Sequence, residues 1–416
     1  MKNMLVVDSA YSYADLRSRH LEDFVIARDP GNHFDTILTI HPFAGVQYSS
    51  TLAQSELYGS AVTYKIDERN YFVEGKRGRF TWLKKFEKMN YGFSFISVLR
   101  LVFIANKHRK ITVVRSEDAL LNGFIAWTIA SLIRVPLIIG IWGNSDAIRR
   151  ETQRPLMPRL FKSIRLEKSW EKFILSRARV VLVGNEDNKT FVIECGIKAS
   201  RISMLPVVFN LNQCHFVEPS ERLPIDDDLA ALGIEGKDLI ICISRLEPVK
   251  LVDHLLRATP FIRPNDRDFQ VLIVGEGSQL DELNLLCKQL AITDKIIFCG
   301  NQNQDWISRM VAKGGIVVSP LTGRALAEAA MGAAAVVAYD IDWQGELIKT
   351  NITGELVPYK DFVAMGDSIS RFLADPIYKA KMGLALRKEI LERMTSVDIV
   401  STINGIYSGL ENTHKE

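Results

Sequence analysis

Short apolar runs rich in β-branched residues alternate along the chain with longer amphipathic stretches. In the first half the runs are Met4–Val7, Thr36–Ile40, Ile111–Val114, Leu137–Ile141 and Val180–Val183. In the second half they are Leu239–Ile243, Gln270–Val274, Lys295–Cys299, Ile316–Ser319 and Ala335–Tyr339. The stretches with helical spacing include Ala119–Ile133, Leu166–Ser176, Leu251–Phe261, Ser278–Leu290, Gln304–Ala312 and Arg324–Ala333. Continuous apolar runs are typical of parallel strands buried on both faces, so the pattern predicts an α/β protein with doubly wound sheets.

The length and the position of one irregular segment predict two domains. A chain of 416 residues is longer than one hydrophobic core usually supports. The pattern lapses between Asn210 and Gly233, where two prolines and an acidic run occur. We therefore predict a first domain over residues 1–212 and a second over 213–395. The tail, residues 396–416, has helical spacing and is expected to pack back on the first domain.

Composition and charge narrow the class of protein. The apolar fraction of 47% is that of an ordinary globular protein, and the net charge of +3 is too small to indicate nucleic-acid binding. The five cysteines are widely spaced and form no CxxC pair, which argues against a zinc site or a disulfide framework. The N-terminus lacks the pattern of a signal peptide, and the longest apolar region is broken by Arg134 and Pro136. We expect a cytoplasmic protein without a transmembrane segment.

Two cations follow the first strand of the second domain. Arg245 and Lys250 lie in the loop after the run that ends at Ile243. Doubly wound sheets bind ligands at the carboxyl ends of their strands. An arginine and a lysine at such a place suit a diphosphate, although two cations on a surface loop are the simpler interpretation.

A strand, a tight turn and a helix follow one another from Ile316 to Gly332. Thr322 is the predicted N-cap of the helix, and Gly323 would let a ligand approach the backbone. The first N–H groups of that helix would then form a phosphate site. Glu328 lies on an otherwise apolar helix, and a buried carboxylate needs a partner. A ribose diol is one candidate partner, and a salt bridge to a neighbouring arginine is the alternative.

Several motifs in this half of the chain occur in a family-specific order. They are Ser244-Arg245-Leu246 with Lys250, Val274-Gly275-Glu276-Gly277, Phe298-Cys299-Gly300, Arg324-Ala325-Leu326-Ala327-Glu328-Ala329 and Thr353-Gly354-Glu355-Leu356-Val357. In this order the chain resembles the retaining family 4 glycosyltransferases, chiefly over Ile241–Leu373. The resemblance implies the GT-B architecture, in which two Rossmann-like doubly wound domains face a cleft. It also implies a nucleoside diphosphate sugar as donor.

The resemblance implies roles for individual residues. Arg245 and Lys250 match the pair that binds the diphosphate and carries catalysis, and Glu328 matches the second glutamate of the E-x7-E motif, which holds the ribose. The loop that starts with Gly300 and Asn301 matches the segment that contacts the base. Thr322, Gly323, Arg324 and Gly277 would line the same donor site.

The chain also departs from the family pattern. The first glutamate of E-x7-E, which contacts the donor sugar, is replaced by Pro320. Arg324 and Gly323 are candidates to shape the sugar site instead. In the first domain Trp142 stands where the family usually has a histidine. On the acceptor side we name Tyr11, Arg17, Trp142 and Asn144 as candidates.

Two aspartate patterns raise the question of a metal. Asp226-Asp227-Asp228 and Asp340-Ile341-Asp342 both contain D-x-D, which binds a metal in another glycosyltransferase fold. The first lies in the linker and the second follows a core strand. Because two cations and a helix N-terminus are already available for the phosphates, we predict no metal and no cofactor besides a UDP-, GDP- or ADP-sugar donor.

Two stretches are rich in basic residues. Residues 69–110 combine many Lys and Arg with interleaved aromatics such as Tyr71, Phe72 and Trp82, and residues 159–179 are also basic. Such faces suit an anionic membrane surface, and a solvated helical face is the equal alternative. Peripheral membrane contact on the cytoplasmic face would favour a lipid-linked acceptor.

These observations lead to a hypothesis about function. The chain is expected to transfer a sugar to a glycan or lipid-linked acceptor in cell-surface polysaccharide or glycolipid synthesis, with retention of configuration. A GT-B sugar-nucleotide epimerase, which would turn over donor without acceptor, is one alternative. A non-catalytic scaffold or partner protein is the other, and Pro320 and Trp142 are its support. The sequence does not indicate the oligomeric state.

Overall fold

The protein forms two compact units. The computed structural model describes residues 2–18, 20–43, 60–76, 87–158, 160–205, 211–263, 268–321, 323–396 and 399–412. The first unit comprises Met1–Arg149, Arg154–Pro206 and Asp398–Glu416. The second comprises Arg150–Gln153 and Val207–Val397. The main segment of the second unit thus begins at Val207, slightly before the predicted Gln213. Within the described ranges, no helix has both the length and the apolar character needed to cross a membrane.

The first unit is built on a sheet of eight described strands. They are β1 (Asn3–Val7), β2 (Thr36–His41), β3 (Val62–Lys65), β4 (Asn70–Glu74), β5 (Ile111–Ser116), β6 (Leu137–Ile141), β7 (Val180–Val183) and β8 (Ile202–Met204). Their order is β3-β4-β2-β1-β5-β6-β7-β8, and all pairs are parallel except β3 with β4. The helices are α1 (Tyr13–Ser18), α2 (Glu22–Ile26), α3 (Glu87–His108), α4 (Leu121–Ile133), α5 (Ser145–Thr152), α6 (Ile164–Arg177), α7 (Glu186–Glu194) and the last one, α16 (Ile399–Asn412).

The second unit has a six-stranded parallel sheet. Its strands are β9 (Asp238–Ile243), β10 (Phe269–Val274), β11 (Ile296–Gly300), β12 (Ile316–Ser319), β13 (Ala335–Tyr339) and β14 (Glu355–Val357), in the order β11-β10-β9-β12-β13-β14. Its helices are α8 (Asp226–Ala231), α9 (Val252–Ala258), α10 (Leu280–Gln289), α11 (Gln304–Ala312), α12 (Arg324–Met331), α13 (Gln344–Leu347), α14 (Phe362–Ala374) and α15 (Pro376–Ser396).

Alternate residues of β9 enter different hydrophobic clusters. Leu239, Ile241 and Ile243 pack in one cluster, and Ile240 and Cys242 pack in the other. Both faces of the strand are therefore covered, which is why its sequence is apolar without alternation. The prediction of an α/β protein with doubly wound sheets is confirmed.

The terminal helix α16 belongs to the first unit. Tyr407 is buried there and lies edge-on against Phe34, with 4.8 Å between ring centroids. Its hydroxyl donates to the backbone carbonyl of Arg28 at 2.6 Å. A buried phenol needs such an acceptor, and Arg115 of β5 donates to the same hydroxyl at 3.1 Å, so Tyr407 ties α16 to the first sheet.

The interpretation of residues 69–110 as a basic membrane face was wrong for the part that forms β4. Phe72 lies in that strand and is only 2% exposed, so it belongs to the core. Tyr71 is in the same strand and pairs in register with Leu38 of β2. Residues 77–86, which carry Trp82 and four of the basic side chains of the stretch, lie outside the described residues.

Candidate functional site

The strand order of the second sheet places the predicted donor residues at a topological switch point. From β9 the chain moves to one side, through β10 and β11, and then returns to place β12 on the other side of β9. Arg245 and Lys250 follow β9, and Gly323 follows β12. Ligands of open α/β sheets bind in the crevice outside the carboxyl ends at such a point.

The loop that carries Arg245 is held on the loop after β10. The amide of Leu246 donates to the carbonyl of Glu276 at 2.9 Å, and the Leu246 carbonyl accepts from the amide of Gln279 at 2.9 Å. A Cβ on Gly277 would lie 2.3 Å from that same carbonyl, so only glycine allows this approach. Gly277 therefore supports the arginine loop, and its expected contact with the donor stays a prediction.

Arg245 is exposed and Lys250 is half-buried at this end of the sheet. Within the described ranges, neither side chain forms an ion pair. Burial and, to a smaller extent, the positive charge of Arg245 lower the pKa of Lys250 to about 8, against an opposing effect of Asp342. The structure thus brings the two predicted cations together and leaves their charge largely uncompensated.

Helix α12 begins next to Lys250. A Cβ built on Gly323 would lie 3.7 Å from the Lys250 Nζ, and Gly323 has φ +73° and ψ −122°. Gly323 occupies the N-cap position, so the prediction that Thr322 caps the helix was wrong by one residue. Thr322 itself lies outside the described residues. Glycine at the cap exposes the first N–H groups of the helix beside the lysine.

Glu328 has a protein partner. Its Oε1 lies 3.0 Å from Arg324 Nε, one turn earlier on α12, and the residue is 3% exposed. The salt bridge foreseen as the alternative is therefore present. The role of Glu328 in ribose binding stays a prediction.

Arg324 links Glu328 to a polar cluster in the second unit. One terminal nitrogen of Arg324 donates to the side-chain oxygens of Asn212 and Gln304, each at 2.7 Å. Gln304 also lies 3.0 Å from Nε2 of His215, and burial lowers the pKa of that imidazole. This cluster holds the guanidinium in place, and the sugar-shaping role of Arg324 stays a prediction.

The predicted base loop is connected to the arginine loop through Glu276. Asn301 donates from its side-chain amide to a Glu276 carboxylate oxygen at 3.0 Å. Gly300 has φ +63°, and its carbonyl accepts from the amide of Gly275 at 2.8 Å. Glycine tolerates this left-handed conformation at no steric cost. The structure therefore brings Gly300 and Asn301 to the carboxyl ends of β10 and β11.

Gln344 was missed by the sequence analysis. It is 1% exposed, and its side-chain oxygen accepts from the Ser319 hydroxyl at 2.6 Å. Its amide donates to the carbonyls of Pro320 at 3.1 Å and Tyr339 at 3.2 Å. Gln344 thus positions the loop at Pro320, where the family's first glutamate is absent. A single glutamine after a strand gives no sequence signal for such a role.

The two D-x-D stretches differ in their surroundings. Asp228 pairs with Arg309 at 3.0 Å, and Asp226 pairs with Lys313. Asp342, by contrast, acts electrostatically on Lys250. In the part of the chain that the structure describes, no three His, Cys, Asp or Glu side chains are grouped as metal ligands.

The four residues named for the acceptor side lie in the first unit. Tyr11 packs edge-on against Phe24, with 5.6 Å between ring centroids. Arg17 is an exposed residue of α1 and forms a salt bridge with Glu22 at 2.8 Å. These contacts are ordinary surface packing, and the acceptor roles of Tyr11 and Arg17 stay predictions.

Trp142 and Asn144 follow β6. The indole of Trp142 donates to a Glu117 carboxylate oxygen at 2.7 Å. Asn144 accepts from the amides of Asp146 and Ala147 at 3.0 and 3.1 Å, so it caps α5. Asn144 therefore has a structural function that the sequence analysis did not foresee.

A buried charge network lies at the carboxyl ends of β1 and β5. Glu117 pairs with Arg115 at 2.8 Å and with Arg28 at 3.2 Å, and Arg28 also pairs with Asp8. Burial opposes ionisation of Glu117, but the charges of Arg115 and Arg28 outweigh it and lower its pKa. Trp142 joins this network through its hydrogen bond to Glu117. The tryptophan that stands where the resembled family usually has a histidine therefore has its own acceptor, the Glu117 carboxylate.

Comparison with known proteins agrees with the geometry. Residues 225–389 match the family "Glycosyl transferases group 1". An alpha-D-kanosaminyltransferase of Streptomyces kanamyceticus is 25% identical over 36% of this chain and 40% of its own length. A GDP-mannose-dependent alpha-(1-6)-phosphatidylinositol monomannoside mannosyltransferase of Mycolicibacterium smegmatis is 24% identical over 54% of this chain and 63% of its own. The chain spans about half the length of the curated relatives it matches.

Two solved structures share the fold over nearly the whole chain. HepE of Anabaena in complex with UDP-glucose has a TM-score of 0.71 at 16% identity and covers 98% of this chain and 99% of its own. Sucrose-phosphate synthase of Thermosynechococcus elongatus has a TM-score of 0.73 at 14% identity and covers 99% and 100%. Residues 225–389 therefore match the glycosyl transferases group 1 family, and the chain has the GT-B fold.

Proposed function

We propose that this protein is a glycosyltransferase that moves a sugar from a nucleoside diphosphate sugar to a glycan or lipid-linked acceptor. The observation that carries the proposal is the meeting of Lys250, Arg245 and Gly323 at the switch point of the second sheet. Two cations and the exposed N–H groups of α12 fit the two phosphates of a sugar nucleotide. The group 1 domain spans all of these residues.

Stabilising the departing diphosphate is the main catalytic task that this site suits. Negative charge develops on the diphosphate as the bond to the sugar breaks, and fixed donors at that place lower the barrier. Arg245 and Lys250 would supply charge, and α12 would supply N–H groups. In a retaining reaction the leaving phosphate helps to deprotonate the acceptor on the same face of the sugar. Retention rests on the family resemblance.

The identity of the donor base is open among three nucleotides. HepE was solved with UDP-glucose, and the Mycolicibacterium smegmatis relative is named as GDP-mannose-dependent. Calorimetric titration with UDP, GDP and ADP tests the donor half of the proposal. One nucleotide should bind with saturable heat, and the heat should vanish in Arg245→Ala. Absence of binding by all three would contradict the proposed function.

Transfer itself needs a separate measurement. With the sugar nucleotide identified, release of nucleoside diphosphate is followed with and without extracts containing lipid-linked and free glycans. Acceptor-dependent release supports transfer, whereas donor turnover without acceptor would indicate an epimerase. The cations and helix of this site predict that release continues in EDTA. A cytoplasmic location and contact with a membrane surface stay predictions.

The pairing of Glu328 with Arg324 favours one other candidate, a non-catalytic partner protein. In that case the carboxylate would be a structural ion-pair partner and not a ribose ligand. Nucleotide titration separates the two functions, because a scaffold that has lost its donor site would bind no nucleoside diphosphate.

A further inference from the structure

Four arginines converge on a groove in the first unit that no step of sugar transfer explains. Two adjoining cavities of about 730 and 610 Å³ form the groove, and Arg179 and Arg201 line both of them. Arg134 and Arg177 complete the set in the larger cavity. No Asp or Glu occurs among the described residues that line either cavity.

The groove lies at the amino-terminal edge of the first sheet. Arg179 directly precedes β7, and Arg201 directly precedes β8. Arg134 follows α4, and Arg177 ends α6. Open α/β sheets bind substrates at the carboxyl edge, so this groove is separate from the acceptor region that the fold predicts.

The four arginines are not neutralised by carboxylates. Within the described ranges, none of them forms an ion pair, in contrast to Arg28, Arg115 and Arg149 of the same unit. The C-terminal ends of α4 and α6 supply partial negative charge, about −0.5 each. These two helix ends together offset about one of the four formal positive charges, so a net charge of about +3 remains in the groove. Interaction with the helix ends therefore does not explain why four arginines lie together here.

Two of the arginines are already fixed in place. The Arg177 guanidinium lies 4.7 Å from the Phe173 ring centroid and 6.0 Å from that of Trp127. Arg201 donates to the carbonyls of Ser176 and Ala178, at 3.0 Å to the former. Pre-ordered donors lose little conformational entropy when an anion binds, which favours affinity.

We propose that this arginine groove binds a phosphate-bearing ligand at a site additional to the donor site. Guanidinium groups match phosphate oxygens in geometry and charge. The residues that line the larger cavity also include apolar ones such as Trp127, Ala130 and Val135, so a phosphate attached to an apolar group also fits. The same chemistry occurs in a free phosphate compound and in the headgroup of an anionic lipid. Sugar transfer is not required for this binding.

The test is titration with inorganic pyrophosphate in three variants. Arg134→Gln with Arg179→Gln removes two exposed arginines whose side chains form no hydrogen bond or ion pair with the described residues, so the fold should persist, as checked by thermal melting. Arg245→Gln with Lys250→Gln removes the donor-site cations. Arg263→Gln with Lys381→Gln removes two exposed cations elsewhere and serves as the charge-matched control.

The expected result is pyrophosphate binding that persists in the donor-site variant and weakens at least about tenfold when the groove substitutions are added to that variant, with the control unchanged. Equal binding by the donor-site variant with and without the groove substitutions would overturn the proposal. Loss of all binding in the donor-site variant would overturn it as well. Because the donor-site cations are absent from both of the proteins compared, failure here leaves the proposed transferase function intact.

Vesicles identify the source of the phosphate. Sedimentation is measured with phosphatidylcholine vesicles that contain or lack phosphatidic acid. Binding that needs phosphatidic acid, is lost in the groove variant and is displaced by pyrophosphate assigns the site to a lipid headgroup. Pyrophosphate binding without vesicle binding assigns it to a free phosphate compound. If neither probe responds to the groove substitutions, the proposal is wrong.

Discussion

Lys250 and Gly323 face each other across the switch point of the second sheet, with 3.7 Å between the lysine Nζ and the place a Cβ would take on the glycine. The residues are distant in sequence and meet because β9 and β12 are neighbours in the sheet. Their proximity connects a cation to the start of a helix. A diphosphate needs both of these features together.

Gly323→Ala should impair nucleotide binding more than it impairs the fold. The φ of +73° with ψ of −122° is costly for alanine, on the order of 1–3 kcal/mol, and the methyl group would occupy space beside the lysine. We expect lower thermal stability and at least tenfold weaker binding by calorimetry. Gly92→Ala on α3, where a Cβ meets nothing within 4 Å, is the control and should leave binding unchanged. Normal nucleotide affinity in Gly323→Ala would argue against a ligand at this cap.

Arg245→Ala and Lys250→Ala should each reduce turnover by about 10²- to 10³-fold, the usual cost of removing a donor to developing charge. Neither side chain forms an ion pair within the described ranges, so the melting temperature should change little. Lys381→Ala, an exposed lysine of the same unit, is the matched control. Near-normal turnover in either variant would remove the central claim.

Lys250 should take up a proton when the diphosphate binds. Burial and Arg245 lower its pKa to about 8 in the unliganded protein, so near pH 8 a sizeable fraction is neutral. An adjacent anion favours the charged form and raises the pKa. Calorimetry at pH 8 in buffers of different ionisation enthalpy should therefore show buffer-dependent heats. The dependence should vanish in Lys250→Arg, which keeps the charge without titrating in this range. Identical heats in all buffers for the wild type would contradict the prediction.

Much of the fold and part of the site could be predicted from local sequence. The runs Leu137–Ile141 and Ile316–Ser319 are buried strands with the predicted bounds, because parallel strands covered on both faces must be apolar throughout. Arg245 and Lys250 were found because they follow such a strand in a recognisable motif. By contrast, β4 begins with Asn70 and ends with Glu74, and these polar ends concealed it.

The remainder of the site depends on partners that are distant in sequence. Gln344 was not recognised because its acceptors and donor lie on two other segments, and only the folded sheet brings them together. Glu117 was not recognised for the same reason, since it forms an ion pair with Arg28 and accepts a hydrogen bond from the Trp142 indole, and both partners are distant in sequence. Pairings of this kind follow from tertiary structure and leave no local pattern.

Arg324 and Glu328 should be coupled in stability. Arg324→Gln leaves a buried carboxylate without its cation and should destabilise the protein by about 3 kcal/mol. Glu328→Gln should cost less, because Arg324 is partly exposed and keeps its bonds to Asn212 and Gln304. Chemical denaturation of both single variants and the double variant gives the coupling energy. Additive effects would show that the ion pair is unimportant, and unchanged nucleotide affinity in Glu328→Gln would exclude the predicted ribose contact.

Asp118 should make the first unit less stable as the pH rises. Burial raises the pKa of this carboxyl from its ordinary 3.8 to about 6, although it accepts hydrogen bonds from the amide of Leu120 and the side chain of Asn122. Between these two pKa values the folded state holds the proton more tightly than the unfolded state. The free energy of unfolding therefore falls as the pH rises through this window, and the full cost of the buried carboxylate is reached above about pH 6. Asp118→Asn removes the charge, and its melting temperature relative to wild type should increase from pH 4 to pH 7. The exposed Asp281→Asn is the control substitution. A constant difference between Asp118→Asn and wild type across this range would show that Asp118 is ionised normally in the folded protein.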